Sequence, residues 1–172
     1  MLKMFTTQLT GLFSRLHSKE EMAIEDAARL LAQAIAGEGH IYLKGFGEMQ
    51  GAVIEALYGE EPLKGALELN EPEILDQADR ALIFARRSTD AEAISLGQKL
   101  AEKNIPFVVV CGKVKDAEGD IMESADINLN TQVVKGLLPD DEGNRYGFPS
   151  LLAALYLYHG IKFTLDEMLD EE

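Results

Sequence analysis

The chain carries a single cysteine, so no internal disulfide can form. That residue, Cys111, sits in the apolar run Phe107-Val108-Val109-Val110-Cys111, where it reads as a small buried hydrophobe, and a reducing cytoplasm is the compartment expected. Basic residues are scarce: 16 Lys and Arg face 30 Asp and Glu, giving a formal charge of −14 and a pI near 4.6. Nucleic-acid affinity needs a basic face that releases counterions. Residues 1–39, with four basic and five acidic side chains, offer no local exception, so no nucleic-acid partner is expected. Apolar runs are short as well. The longest, residues 151–158, falls well below the ~20 residues that span a bilayer, and the opening segment 1–8 breaks up before a secretory apolar region forms. Neither a membrane partner nor an export signal is expected. His17, His40 and His159 are far apart in sequence, so no metal-ligand spacing is visible and neither a metal nor another cofactor is anticipated.

What is present is ordinary globular composition: 172 residues, 47% hydrophobic and 27% charged, without internal repeats or low-complexity tracts. At ~100–200 residues per domain this suits one domain. The expected layout is N-terminal helices over 1–37, an α/β core over 40–162 and a solvated acidic tail over 163–172. Leu2, Phe5, Leu9, Leu12, Phe13 and Leu16 recur at helical spacing, as do Ile24, Ala28, Leu31 and Ile35. Ser18 with Glu21 three residues later matches a capping box, so two helices are predicted, the second starting near Lys19.

From His40 onward short apolar segments alternate with amphipathic ones, the pattern of a parallel sheet covered on both faces. Strands are predicted at 41–44, 66–69, 81–85, 107–111 and 127–129. Helices are predicted at 49–58, 72–77, 90–103 and 116–124. Residues 131–149 form a long polar connection, and Pro149 introduces a last apolar helix over 150–161.

Ligands of open parallel sheets bind beyond the carboxyl ends of the strands. Two post-strand loops therefore stand out. Gly45-Phe46-Gly47-Glu48-Met49 follows the first strand, where glycines let a ligand approach the backbone and a helix start favours an anion. The structural alternative is a tight turn. Arg86-Arg87-Ser88-Thr89-Asp90 follows the third strand, and adjacent arginines beside hydroxyls can cradle a phosphate. Here the alternative is a Thr89/Glu92 capping box with the arginines paired to surface carboxylates. Glu48 can hydrogen-bond a ligand or simply complement a helix dipole.

The order of these features resembles the SIS (sugar isomerase) domain: Gly45-x-Gly47 after strand one, 79–90 through strand three, 107–110 in strand four and 124–127 before strand five. The match covers about residues 20–162, and among SIS proteins it looks most like the small phosphoheptose isomerases. The resemblance implies an α/β fold, a five-stranded parallel sheet in a three-layer αβα sandwich with flavodoxin-type strand order. It further implies a phosphosugar or other small anionic ligand and assembly into homodimers or homotetramers with sites shared between subunits. Met49 stands where that family has a phosphate-binding serine, and 85–90 replaces the usual Ser-x-Ser-Gly-x-Thr. Aldose–ketose isomerisation needs a carboxylate and a second acid–base group. The resemblance places the first near Gly59, with Glu55 one turn earlier and Glu60 and Glu61 just beyond, and the second at His159 on the last helix; Glu48, in the glycine loop itself, is a further catalytic candidate, and Gly45, Phe46, Gly47, Met49, Arg86, Arg87, Ser88, Thr89 and Asp90 are the expected ligand contacts. A sugar-phosphate isomerase and a catalytically silent sensor or scaffold both remain open readings.

Overall fold

Period-two alternation along the strands divides the core into two layers. In this computed structural model, which describes residues 1–171, five parallel strands run in the order β2-β1-β3-β4-β5. They are β1 (Ile41–Gly45), β2 (Ala66–Glu68), β3 (Arg80–Arg87), β4 (Phe107–Gly112) and β5 (Ile127–Asn130). Leu43, Leu82, Phe84, Val108, Val110 and Leu129 face helices α1 (Leu2–Ala36), α2 (Gln50–Tyr58) and α5 (Ser150–Asp170). Ala81, Ile83, Ala85, Phe107, Val109 and Cys111 face α3 (Ala91–Glu102) and the short α4 (Ile121–Ser124). The three-layer αβα architecture and flavodoxin-type order expected from the sequence are present. Interior strand β4 is buried at every position, as a strand covered on both faces must be. Burial pushes the Cys111 thiol up to about 12, so it packs as an inert hydrophobe.

The predicted pair of N-terminal helices is one helix. Leu12, Leu16, Glu20, Ala27, Ala28, Leu31 and Ala34 form a buried stripe that passes Ser18 without interruption, and the Ser18 hydroxyl donates to the Arg15 carbonyl at 3.2 Å instead of capping. Packing of this stripe against α5 and β5 outweighs the local cap signal. Within the stripe Glu20 accepts the N–H of Asn130 at 3.2 Å, and burial raises its carboxyl above the ordinary value. A raised carboxyl holds its proton more firmly in the folded chain, so stability is given up as pH climbs from the ordinary value, ~4.3, through the raised one. Glu20→Gln keeps an acceptor for Asn130 and removes the charge. Its melting temperature should exceed wild type at pH 7.5 and converge with it at pH 4, and a constant offset at both pH values would contradict this account.

Of the predicted acidic tail 163–172, the part up to Asp170 is instead the last turns of α5, and Glu172 lies outside the described residues. Leu165 is buried, Met168 and Leu169 pack on the core, and the Lys162 ammonium reaches Asp166 at 2.6 Å. Two predicted helices are also shorter. The 72–77 segment is only a 3-10 turn at Pro72–Ile74, and the carbonyls of Pro72, Glu73 and Leu75 accept from the Lys103 ammonium. Asp116 and Gly119 adopt left-handed backbone, which delays α4 until Asp120, whose carboxylate accepts the Met122 N–H at 3.0 Å. The 131–149 connection contains a small hairpin of β6 (Leu138–Pro139) and β7 (Arg145–Tyr146). Its turn is organised by the Asp140 carboxylate, which accepts from Glu142 and Asn144, with Gly143 at φ +84°.

Candidate functional site

The site is built at the switch point between β1 and β3, where crossovers leave to opposite faces of the sheet. Gly45 pairs with Phe84, so β3 continues past the end of β1 and carries Arg86 and Arg87 beyond it. A register irregularity against β4 between Phe84 and Arg87 re-aims these side chains. The glycine loop is fastened on both sides: the Phe46 N–H donates to the Phe84 carbonyl at 3.1 Å, and the Gly45 N–H to Gln50 Oε1 at 3.2 Å. Gln50 in turn donates to Glu68 Oε1 at 2.7 Å. Gly47 adopts φ +58°, in the left-handed region that favours glycine.

Across this gap the Arg86 guanidinium grips the Glu48 carboxylate with two hydrogen bonds, Nε to Oε1 at 2.8 Å and Nη2 to Oε2. That fork holds the Glu48 carboxyl below the usual carboxylate range and raises the Arg86 pKa. Both side chains keep substantial exposure, 47% for Arg86 and 39% for Glu48, so the pair adds little to stability. A depressed carboxyl stabilises above its ordinary value, and that small contribution disappears as pH falls through the lowered one.

The other predicted contacts divide by burial. Phe46, Gly47, Arg86 and Asp90 line a cleft of about 330 Å³ together with Ala91 and Glu92. Arg87 turns toward the 131–149 connection, its Nη2 3.4 Å from the Val134 carbonyl, while its N–H donates to Asp90 Oδ2 at 3.2 Å. Ser88 is fully buried, and its Oγ accepts the Val114 N–H at 3.0 Å. Thr89 is exposed, and the residue at the α3 N-cap is Asp90, with no side-chain cap bond, so the Thr89/Glu92 box does not form. Met49 is fully buried in the core, so it faces packing rather than ligand.

A second groove of about 440 Å³ shares Phe46, Ala91 and Glu92 with the cleft and adds Lys44, Leu69, Asn70, Pro72, Ser95, Leu96 and Lys99. Sequence reasoning missed this groove. Its available signals were Lys44 within an otherwise apolar strand and the Glu92, Ser95, Lys99 spacing on one face of α3.

The model for the family described as "Domain of unknown function (DUF2529)" matches residues 1–169. The chain belongs to the DUF2529 family. It is 45% identical over 172 residues to the uncharacterized protein YwjG of Bacillus subtilis, covering 99% of both chains. Its fold is also that of a sugar-phosphate isomerase, so described with reservation, from Listeria monocytogenes: TM-score 0.70 and 18% identity over 98% of this chain and 90% of that one. The phosphoheptose isomerase GmhA of Neisseria gonorrhoeae superposes with TM-score 0.65 and 14% identity over 95% of each chain.

In this DUF2529 chain the residues expected to catalyse are not brought together. Glu48 is bonded to Arg86 of the cleft, whereas Glu55 lies exposed on α2 beside Gly59. His159 lies on α5 between the rings of Tyr158 and Phe163, lining a groove with His17 and Glu21 of α1. Neither Glu55 nor His159 lines the cleft. Among the described residues no cluster of three or more His, Cys, Asp or Glu could hold a metal ion. Nor, among them, is any helix long and apolar enough to cross a membrane.

Proposed function

We propose that the cleft between β1 and β3 binds a phosphosugar, and that one copy of the chain acts as a binding module. The observation that carries this reading is the convergence of Phe46, Gly47 and Arg86 on one cavity at the switch point, with Glu48 of the same glycine loop bonded to the Arg86 guanidinium. The similarity to a phosphoheptose isomerase supports it. Carboxylates and a guanidinium around a small cleft suit the hydroxyls of a polyol, which both donate and accept.

Isomerisation is the second reading, favoured by Glu48, an ionised carboxylate on the glycine loop. It needs a further acid–base group at the cleft, and His159 would reach it only from another copy, as the expected homo-oligomeric assembly would allow.

The test is a thermal-shift screen at low salt with sedoheptulose 7-phosphate, fructose 6-phosphate, glucosamine 6-phosphate, nucleotide sugars and inorganic phosphate. A ligand at a hundredfold excess over its Kd stabilises by ~2.7 kcal/mol, which is roughly 5–10 °C for a chain of this size. A phosphosugar shift that disappears in Glu48→Ala/Arg86→Ala is expected. Persistence of the shift in that double variant, or no shift with any phosphosugar, would overturn the reading. Turnover of the bound sugar, lost in both Glu48→Gln and His159→Gln, would favour the isomerase.

A further inference from the structure

Charge is distributed unevenly along the joined cavities. Around Arg86 the cleft is rich in carboxylates: Glu48 fills the guanidinium fork, and Asp90 and Glu92 line the walls. Arg87 is turned away toward Val134. A phosphate placed there must displace Glu48 and stand beside two more carboxylates, a repulsive arrangement.

The adjoining groove has the opposite balance. Lys44 and Lys99 face Glu92 alone among acidic lining residues, with Asn70 and Ser95 as neutral hydrogen-bonding groups. Among the described residues neither lysine has a carboxylate within ion-pair distance, although acidic side chains outnumber basic ones nearly two to one. Lys44 Nζ lies 5.7 Å from the centroid of the Phe46 ring, at the seam between the two cavities. Lys99 lies one further turn along α3 from Ser95, on the same face. The floor is apolar and firm: Leu69 is 2% exposed and its N–H is bonded to the Leu43 carbonyl at 2.8 Å. Pro72 lines the other side, and the turn it opens is clamped by three hydrogen bonds from Lys103.

We infer that the phosphate of the ligand seats in the groove between Lys44 and Lys99, with Asn70 and Ser95 as further donors, while the polyol reaches into the Glu48–Arg86 cleft. This rests on the phosphosugar reading above and gives the ligand a direction: the sugar occupies the switch-point loops, and the anion lies over the open face of β1 and β2. The class that fits is an acyclic or small-ring sugar monophosphate with the phosphate at the chain end remote from the hydroxyls that meet Glu48. The interchange of roles agrees with the sequence, since Met49 is core and Ser88 is already engaged by Val114.

Two measurements test the assignment. The first follows backbone amide shifts of the uniformly labelled chain on titration with inorganic phosphate and with sedoheptulose 7-phosphate. Phosphate should perturb Asn70, Ser95 and Lys99, and the sugar phosphate should add Gly47 and Arg86. The second compares sedoheptulose 7-phosphate with unphosphorylated sedoheptulose on wild type and Lys44→Gln/Lys99→Gln by calorimetry. The double variant should weaken the phosphorylated sugar about a hundredfold, ~2.8 kcal/mol, for two lost charge-assisted contacts, and leave the free sugar within twofold. Phosphate shifts confined to Gly47, Arg86 and Thr89, with full affinity in the lysine variant, would overturn the assignment and leave the cleft reading standing. No perturbation by either probe would overturn both.

Discussion

Gly45→Ala should melt roughly 6–12 °C below wild type and lose any phosphosugar-dependent stabilisation. A β-carbon at this position would lie 2.5 Å from the Met49 carbonyl oxygen and 2.6 Å from both the nitrogen and the α-carbon of Gln50. All three are backbone atoms, so no side chain can swing aside, and relief requires moving the start of α2 away from β1. Overpacking of this kind costs ~1–3 kcal/mol, and this contact belongs at the upper end, with each kcal/mol worth roughly 2–4 °C in a chain of this size. The same displacement would disturb Gln50, which brackets β1 and β2 by bonding Gly45 and Glu68. Gly47→Ala is the informative contrast. Its added carbon has room, with Arg86 Nη2 nearest at 3.7 Å, and only the φ of +58° opposes it. That strain costs ~1–2 kcal/mol, so a smaller drop is expected. Calorimetric melting of both variants decides the matter: a Gly45→Ala protein within 2 °C of wild type would show that close backbone approach is not what this position requires.

These two glycines mark how far the site could be read from the chain. Both were identifiable because they follow an apolar strand and precede a helix, and the same logic found Arg86. The fate of the neighbouring residues was not local information. Met49 and Ser88 sit in the same two loops, yet the core claims Met49 and a hydrogen bond across to Val114 claims Ser88. Lys44 and Lys99 are 55 positions apart and meet only because β1 lies next to β3 and α3 returns over the same face. The fold was more legible than the site, since periodicity records burial directly. Its errors fell where distant packing overrode a nearby signal: the stripe running past Ser18, the core contacts that hold the acidic end of α5, and the Lys103 ammonium that clamps a turn where a helix was expected at 72–77.

That clamp has a large effect of its own. Lys103→Met should lower the melting temperature by roughly 5–10 °C. An ammonium has three donors, and here all three are used, on the carbonyls of Pro72 at 3.1 Å, Glu73 at 2.7 Å and Leu75 at 2.7 Å. A hydrogen bond from a charged donor contributes ~1.5–3 kcal/mol. Three that share one half-buried group are not additive, so the expected loss is about 2–3 kcal/mol. Methionine keeps the length and apolar stem of lysine, which confines the change to the ammonium. Because Pro72 lines the lysine groove and Lys103 does not, the variant should also raise amide exchange across 70–76 and weaken phosphosugar binding by about three- to tenfold, on the order of 1 kcal/mol. Lys103→Arg carries the same charge but spreads its donors over a planar fork, which cannot converge on three carbonyls from one point. If the arginine variant matches wild type in melting temperature and in exchange, charge alone holds the turn. If it falls with the methionine variant, the convergent geometry of the ammonium is what keeps the groove wall in place.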